Sequence, residues 1–228
     1  MADTPANASA WGLPGVLDYF AERRGSTAEV YPSEWFFLKD RLKEGVSILD
    51  IGCAQGGFAA VIAEHVKNFR YVGADVNSEM IARARARFPK HQFIEVREGD
   101  FSALGERTFD LVLVLGILHL HETWRETLAA AWRCTAGTLI FDLREWEGAT
   151  LEDKARSHMT MDFHGKDDSH RAARVPYILL NAADALRAVQ GICAGAGRLG
   201  HYGYLHAPSG TAVTPAKQVM MNTWCAER

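Results

Sequence analysis

Between Ser47 and Phe58 the chain reads Ser-Ile-Leu-Asp-Ile-Gly-Cys-Ala-Gln-Gly-Gly-Phe. An apolar run that fits a buried strand breaks into a turn of small residues, and an apolar helical pattern follows at once. Only small residues, here Gly52, Ala54, Gly56 and Gly57, let a backbone pass close enough to touch a bound ligand. Asp50 stands at the carboxyl end of the strand, where open α/β sheets bind their ligands. A carboxylate beside such a loop repels a pyrophosphate and suits a cationic or amino-bearing group.

From this point strand and helix patterns alternate. Ile48–Gly52, Arg70–Val76, Gln92–Val96, Phe109–Gly116 and Thr138–Leu143 read as strands. Phe58–Val66, the segment from Asn77/Ser78 to Arg87, and Glu122–Cys134 read as helices; Pro89 stops the second. This order implies a mostly parallel sheet with helices on both faces. The tail differs. After a helix over Ala183–Ala194, Leu199–His206 and Lys217–Ala226 read as two strands joined through Pro208-Ser209-Gly210, which must pair antiparallel. Upstream, Glu34–Lys43 reads as a helix, since Trp35, Phe36, Leu38 and Leu42 follow helical spacing after Pro32. The reading is a single α/β domain: a helical cap over 1–46 and a core over 47–228. The charge-rich stretch 145–181 is expected to form a lid over the substrate.

The chain has 228 residues, enough for one such domain with a full core. Its net charge of −3 offers no global attraction to nucleic acid or to an anionic membrane. Cys53, Cys134, Cys193 and Cys225 are far apart and form no C-x-x-C, which suits reduced thiols in a cytoplasmic protein. The first ten residues lack the basic and apolar regions of a signal peptide, and no apolar run is long enough to span a bilayer. A homodimer is left open.

Four motifs in order carry a resemblance. Asp50-Ile51-Gly52-Cys53-Ala54-Gln55-Gly56-Gly57 is similar to the acidic-x-Gly-x-Gly-x-Gly loop of the Rossmann-like (class I) S-adenosylmethionine-dependent methyltransferases, with Ala54 in place of the second glycine. Tyr71-Val72-Gly73-Ala74-Asp75-Val76 resembles their second strand, Glu98-Gly99-Asp100-Phe101 the turn after the third, and Phe109 to His119 the fourth strand and its exit. The resemblance implies a doubly wound seven-stranded sheet, mostly parallel, with a C-terminal antiparallel hairpin, and S-adenosylmethionine as cofactor. It further implies that the loop, with Asp50, Gly52, Ala54 and Gly56, wraps the methionine part. Asp75 and Val76 would meet the ribose, Asp100 the adenine amino group, and Phe101 the ring. A main-chain carbonyl near Leu115 would hold the methionine amino group.

On the acceptor side, His119 sits where the fourth strand ends, and histidine is the residue type whose unperturbed range suits proton removal from a hydroxyl or a protonated amine. His121, Arg144, Tyr177 and Tyr19 are candidate substrate contacts; Arg23, Arg24, Asn181, Tyr202 and Tyr204 are further ones. Arg144 could pair a carboxylate or phosphate. His158, Asp162, His164, Asp167, Asp168 and His170 lack metal-ligand spacing on a helix, and a metal-free site is expected. The function read here is methyl transfer to a small molecule, on oxygen or nitrogen. Two alternatives stand beside it. A NAD-dependent oxidoreductase shares the strand, glycine turn and later acid, and a non-catalytic S-adenosylmethionine-binding domain would carry the same motifs. A nucleic-acid methyltransferase ranks below both, because Gly116-Ile117-Leu118-His119 stands where an Asn/Asp/Ser-Pro-Pro-aromatic motif would be.

Overall fold

The structure, a computed structural model, describes residues 10–21, 25–161 and 173–228. Five parallel strands form its centre: β1 (Ser47–Ile51), β2 (Arg70–Asp75), β3 (Gln92–Glu95), β4 (Phe109–Val114) and β5 (Thr135–Trp146). Their spatial order is β3-β2-β1-β4-β5, so the chain reverses direction across the sheet between β1 and β4. The gap at such a reversal is where open α/β sheets hold ligands. Beyond β5 the sheet continues with β11 (Val219–Glu227) and then β9 (Arg198–His206), and β11 runs antiparallel to both neighbours.

Strand alternation explains why β4 is apolar throughout. Val112 and Val114 enter one buried cluster, with Trp124 and Leu128 of a helix over Trp124–Arg133 and Val189 of a helix over Ala182–Ile192. Leu111 and Leu113 point to the opposite cluster, with Phe58 and Ile62 of a helix over Gly57–Ala63, Ile81 of a helix over Ser78–Arg87, and Phe37 and Leu38 of a helix over Pro32–Leu38. Both faces of a parallel sheet are thereby covered. Glu145, buried on β5, accepts hydrogen bonds from Asn222 (2.7 Å) and the Trp224 indole (3.1 Å), which ties β5 to β11 by side chains as well as by the ladder.

A third apolar cluster lies over the carboxyl ends of the strands. It joins Val16 and Leu17 of the helix Pro14–Ala21, Met80, Leu120, Met159, Met161, Val175, Tyr177, Leu179 and Val219. Its scaffold is a small antiparallel sheet in the order β10 (Ala212–Val213), β6 (His158–Thr160), β7 (Arg174–Pro176). A two-residue strand, β8 (Leu180–Asn181), also adds to the main sheet beside β5, making eight strands where seven were expected. The sequence shows none of these short strands, because two or three residues are too few to display alternation. For the same reason the link between β9 and β11 is more than the turn around Pro208–Gly210: it carries β10 to its partner β6. The helix expected over Glu34–Lys43 begins instead at Pro32, with Glu34 accepting the Tyr31 N–H at 3.2 Å, and tightens into a 3-10 turn over Lys39–Arg41.

Gly73 lies mid-strand in β2, where an added Cβ would sit 2.7 Å from the Cys53 Sγ and 2.7 Å from the Phe93 ring. Gly73→Val is expected to lower stability by about 1–3 kcal/mol, as overpacking of a filled core does. A urea midpoint equal to that of the unchanged protein would contradict this packing.

Candidate active site

The loop after β1 is bent by Gly52 (φ +81), Ala54 (φ +46) and Gly56 (φ +78). Ala54 is the one non-glycine residue with positive φ among those described. Its strained N–H donates to the Asp75 Oδ2 at 2.9 Å, and the Asn77 N–H donates to Oδ1 at 2.9 Å. The end of β2 therefore holds the loop of β1. A carboxylate has about four lone-pair sites, so these donors leave room for a further one. Burial raises the Asp75 pKa, and the N–H groups of Asn77, Ala54 and Val76 oppose that rise. Gly52 has no room for a side chain, since a Cβ would meet Ile117 at 2.7–2.8 Å. The Gln55 amide donates to the Leu17 carbonyl at 2.6 Å and so fastens the N-terminal helix to the loop.

Asp50 is buried in the cavity wall and accepts from the Tyr71 hydroxyl. That hydroxyl stays protonated, its pKa pushed well up by burial and then by Asp50. Burial, with Asp75 and Asp50, also pushes up the Cys53 thiol, which leaves it a poor nucleophile.

Past β4, Gly116 (φ +77) gives its N–H to Asp142 on β5. The other oxygen of Asp142 pairs with Arg144 Nη1. Two turns on, the His119 ring meets Tyr177 edge-on at 5.5 Å, and the His119 carbonyl accepts the Ile178 N–H at 2.8 Å. His121 Nδ1 lies 3.2 Å from the Thr123 hydroxyl.

One cavity of about 500 Å³ joins these parts, a size that suits a drug-sized ligand. Of the residues singled out from sequence, Asp50, Gly52, Ala54, Asp75, Val76, Phe101, Leu115, His119, His121, Arg144, Tyr177 and Tyr19 line it. Gly56 does not; it shapes the loop from behind, against Phe93 and Phe88. Asp100 does not line it either. A tight turn through Gly99 (φ +73) pairs Arg97 with Asp100 and leaves Asp100 exposed, where its carboxylate accepts the Ser102 N–H at 2.9 Å and its pKa is lowered by that bond. Glu98, two residues earlier, lines the cavity instead. Asn181 is also absent from the lining: it caps the following helix, accepting the Ala183 N–H, and donates to the Gly148 carbonyl. Tyr202 and Tyr204 lie on β9, outside the lining. Arg23, Arg24, Asp162, His164, Asp167, Asp168 and His170 lie outside the described residues. Among the described residues no cluster of three or more His, Cys, Asp or Glu side chains could hold a metal, and no helix is long and apolar enough to cross a membrane.

Sequence reasoning passed over Trp11, Phe20, Tyr31, His206 and Ser209, which also line the cavity. His206 Nδ1 lies 2.5 Å from the Ala207 carbonyl, which fixes its N–H there and leaves Nε2 as a buried acceptor with no partner. Its pKa is lowered by burial, and Arg144 adds to that. No motif marks such a residue; it arrives through the β9–β10–β6 connection.

The residues fit a sulfonium nucleoside bearing an amino acid. The loop leaves space beside its backbone, Asp75 stands at the cavity wall, and Asp50, Asp75 and Glu98 give that half of the cavity a negative character. A dinucleotide's pyrophosphate would meet the same acids unfavourably.

Burial pushes the His121 imidazole down to about 4. The folded chain leaves it neutral, whereas an unfolded histidine binds a proton below about 6.5. Stability is therefore lost as pH falls from about 6.5 towards 4, by on the order of 3 kcal/mol from this group. His121→Gln should remove that part of the loss, read as a smaller drop in urea midpoint between pH 7 and pH 4.5. An unchanged drop would contradict it.

Residues 48–137 match a family described as a methyltransferase domain. Ribosomal protein L11 methyltransferase of Thermotoga maritima is 33% identical over 87 residues, 38% of this chain and 33% of that protein. Fatty-acid O-methyltransferase of Mycolicibacterium smegmatis is 30% identical over 122 residues, 48% of this chain and 43% of that protein. The matched part thus spans a third to less than half of these relatives. Among solved structures, the N-terminal domain of EvdMO1 in the presence of SAH and D-fucose superposes with a TM-score of 0.60 at 14% identity, covering 87% of this chain and 84% of that one. An S-adenosylmethionine-dependent methyltransferase from Mesorhizobium loti gives 0.53 at 17%, covering 86% and 97%. Both likenesses concern the fold. Residues 48–137 thus resemble a methyltransferase domain, and the described chain shares its fold with the S-adenosylmethionine-dependent methyltransferase it superposes on.

Proposed function

We propose that the protein transfers a methyl group from S-adenosylmethionine to a small-molecule acceptor, on oxygen or nitrogen. The observation that carries the reading is the extent of the cavity. It runs from Asp75 and the Gly52–Ala54 loop, past the end of β4, to His119, Arg144 and Tyr177 on the far side, so a second ligand has a place beside the first.

When bound, the cofactor supplies an electrophilic methyl carbon: the acceptor's lone pair bonds to it as the carbon–sulfur pair returns to sulfur. The chain's own contribution is positioning and proton removal. Asp50 and the loop face the methionine part, Asp75 and Val76 the ribose, Phe101 the adenine ring, and Leu115 the amino group. The exposed Asp100 stays with Ser102. His119, held between Tyr177 and the Ile178 N–H, takes the proton of a hydroxyl or protonated amine. Tyr19, His121, Arg144 and Tyr177 enclose the acceptor.

Cover over the cavity supports a small acceptor. The helix Pro14–Ala21 and the β10-β6-β7 sheet share one apolar cluster above the strand ends, and we assign residues before 47 and those over 145–181 the role of a lid. Relatives named as fatty-acid O-methyltransferase and as a probable (S)-tetrahydroprotoberberine N-methyltransferase agree with a small acceptor. A relative named for a ribosomal protein favours a large one, which this cover opposes.

Calorimetric titration with S-adenosylmethionine, S-adenosylhomocysteine and NAD in parallel tests the cofactor. Micromolar binding of the first two and silence from NAD are expected; binding of NAD alone would overturn the reading. Asp75→Ala should weaken S-adenosylhomocysteine binding by about tenfold or more, the worth of charge-assisted hydrogen bonds. His119→Ala should lower turnover by about a hundredfold or more with cofactor affinity within twofold of the unchanged protein. Loss of both would make His119 a structural residue.

A further inference from the structure

The charges around the cavity are sorted by strand. Asp50 ends β1, Asp75 ends β2, and Glu98 follows β3. On the other side of β4, β5 brings Arg144, the one Arg or Lys among the described lining residues. Two strand spacings separate β1 from β5, about 10 Å. The negative half suits the cationic cofactor, and the positive end lies where an acceptor would reach.

Arg144 is also prepared at some cost. Its side chain is 8% exposed and its partner Asp142 is wholly buried. Asp142 spends one oxygen on the Gly116 N–H and the other on a single guanidinium nitrogen, so the pairing with Arg144 is not the two-pronged fork that a carboxylate can make. Tyr177 is the other partner: the guanidinium opposes the rise that burial causes in the phenol's pKa. A guanidinium carries five N–H donors, and these two partners leave most of them for the cavity. Among the described lining residues no second Arg or Lys stands beside it. His121 is neutral above about pH 4, and the His206 pKa is lowered by burial and by Arg144 itself. Arg144 and Asp142 together are neutral, so the seat offers guanidinium N–H donors rather than net positive charge, which a singly charged planar carboxylate tolerates better than a phosphate dianion.

We propose that the acceptor is a small carboxylic acid whose carboxylate is gripped by Arg144, with Tyr177 at its side. This rests on the methyl-transfer reading, and it names the class of molecule that enters the second half of the cavity. Asp142 is the positioning residue: it fixes Arg144 and the loop after β4 together, so the anion's seat and the His119 segment move as one.

The test uses the full chain saturated with S-adenosylhomocysteine and a panel of matched probes: octanoate, benzoate and 4-hydroxyphenylacetate, each with its amide, plus octylamine and octyl phosphate. Melting shifts and calorimetry read the binding. At least one carboxylate should bind about tenfold or more tightly than its amide, and more tightly than the amine or phosphate. Arg144→Gln should abolish that preference while S-adenosylhomocysteine affinity stays within twofold. If that variant does not fold, because Asp142 is left buried and alone, the pair Asp142→Asn with Arg144→Gln removes both charges and should give the same loss. Equal binding of acids and amides, preference for the amine or phosphate, or a preference that survives the loss of Arg144 would each overturn the proposal. Failure of the unchanged protein to bind S-adenosylhomocysteine would be a different result, overturning the methyl-transfer reading and this inference with it.

Discussion

The hydrogen bond from the Ala54 N–H to the Asp75 carboxylate is the contact on which the site depends. It crosses from the loop of β1 to the end of β2 and holds an alanine at positive φ, a conformation L residues adopt reluctantly. An N–H to a buried carboxylate is worth more than a neutral hydrogen bond, which helps to offset that strain. With the loop fixed, Gly52 packs under Ile117 and Gln55 catches the N-terminal helix. One carboxylate thereby sets the shape of the loop and stands at the cavity wall.

A second carboxylate, Asp142, plays the matching part across β4. It is fully buried, and burying an acid is tolerable only with its oxygens paired. Its partners are the N–H of Gly116 and the guanidinium of Arg144, so the exit of β4 and the end of β5 are tied to each other. Between these two anchors lies the gap opened by the reversal of strand order. The cap closes it from above with side chains drawn from six separate parts of the chain, among them Val16, Met80, Met159 and Val219.

Much of this was legible in the residues. The five parallel strands and the antiparallel close follow from hydrophobic runs of five or more residues, and the bend at Gly52–Gly56 from the small residues themselves. The acid at the end of β2, singled out through the resemblance, lies on the cavity wall. Asp100 was not readable in the same way: choosing between it and Glu98 depends on the turn at Gly99, whose effect is to point Asp100 outward. The β10-β6-β7 sheet was hidden because its strands are two and three residues long, and β10 pairs with β6 across more than 50 positions. His206 follows from that long-range pairing, and so it too was invisible.

The central claim is that the Asp75-anchored loop is a nucleoside sulfonium site with an acceptor space beside it. A crystal structure of the protein with S-adenosylhomocysteine tests this most directly. The account predicts both ribose hydroxyls on the Asp75 carboxylate, the amino acid end along Gly52–Ala54, and the sulfur facing open space that reaches His119 and Arg144. A nucleoside seated at Arg144, or one that leaves no space between the sulfur and β5, would contradict it.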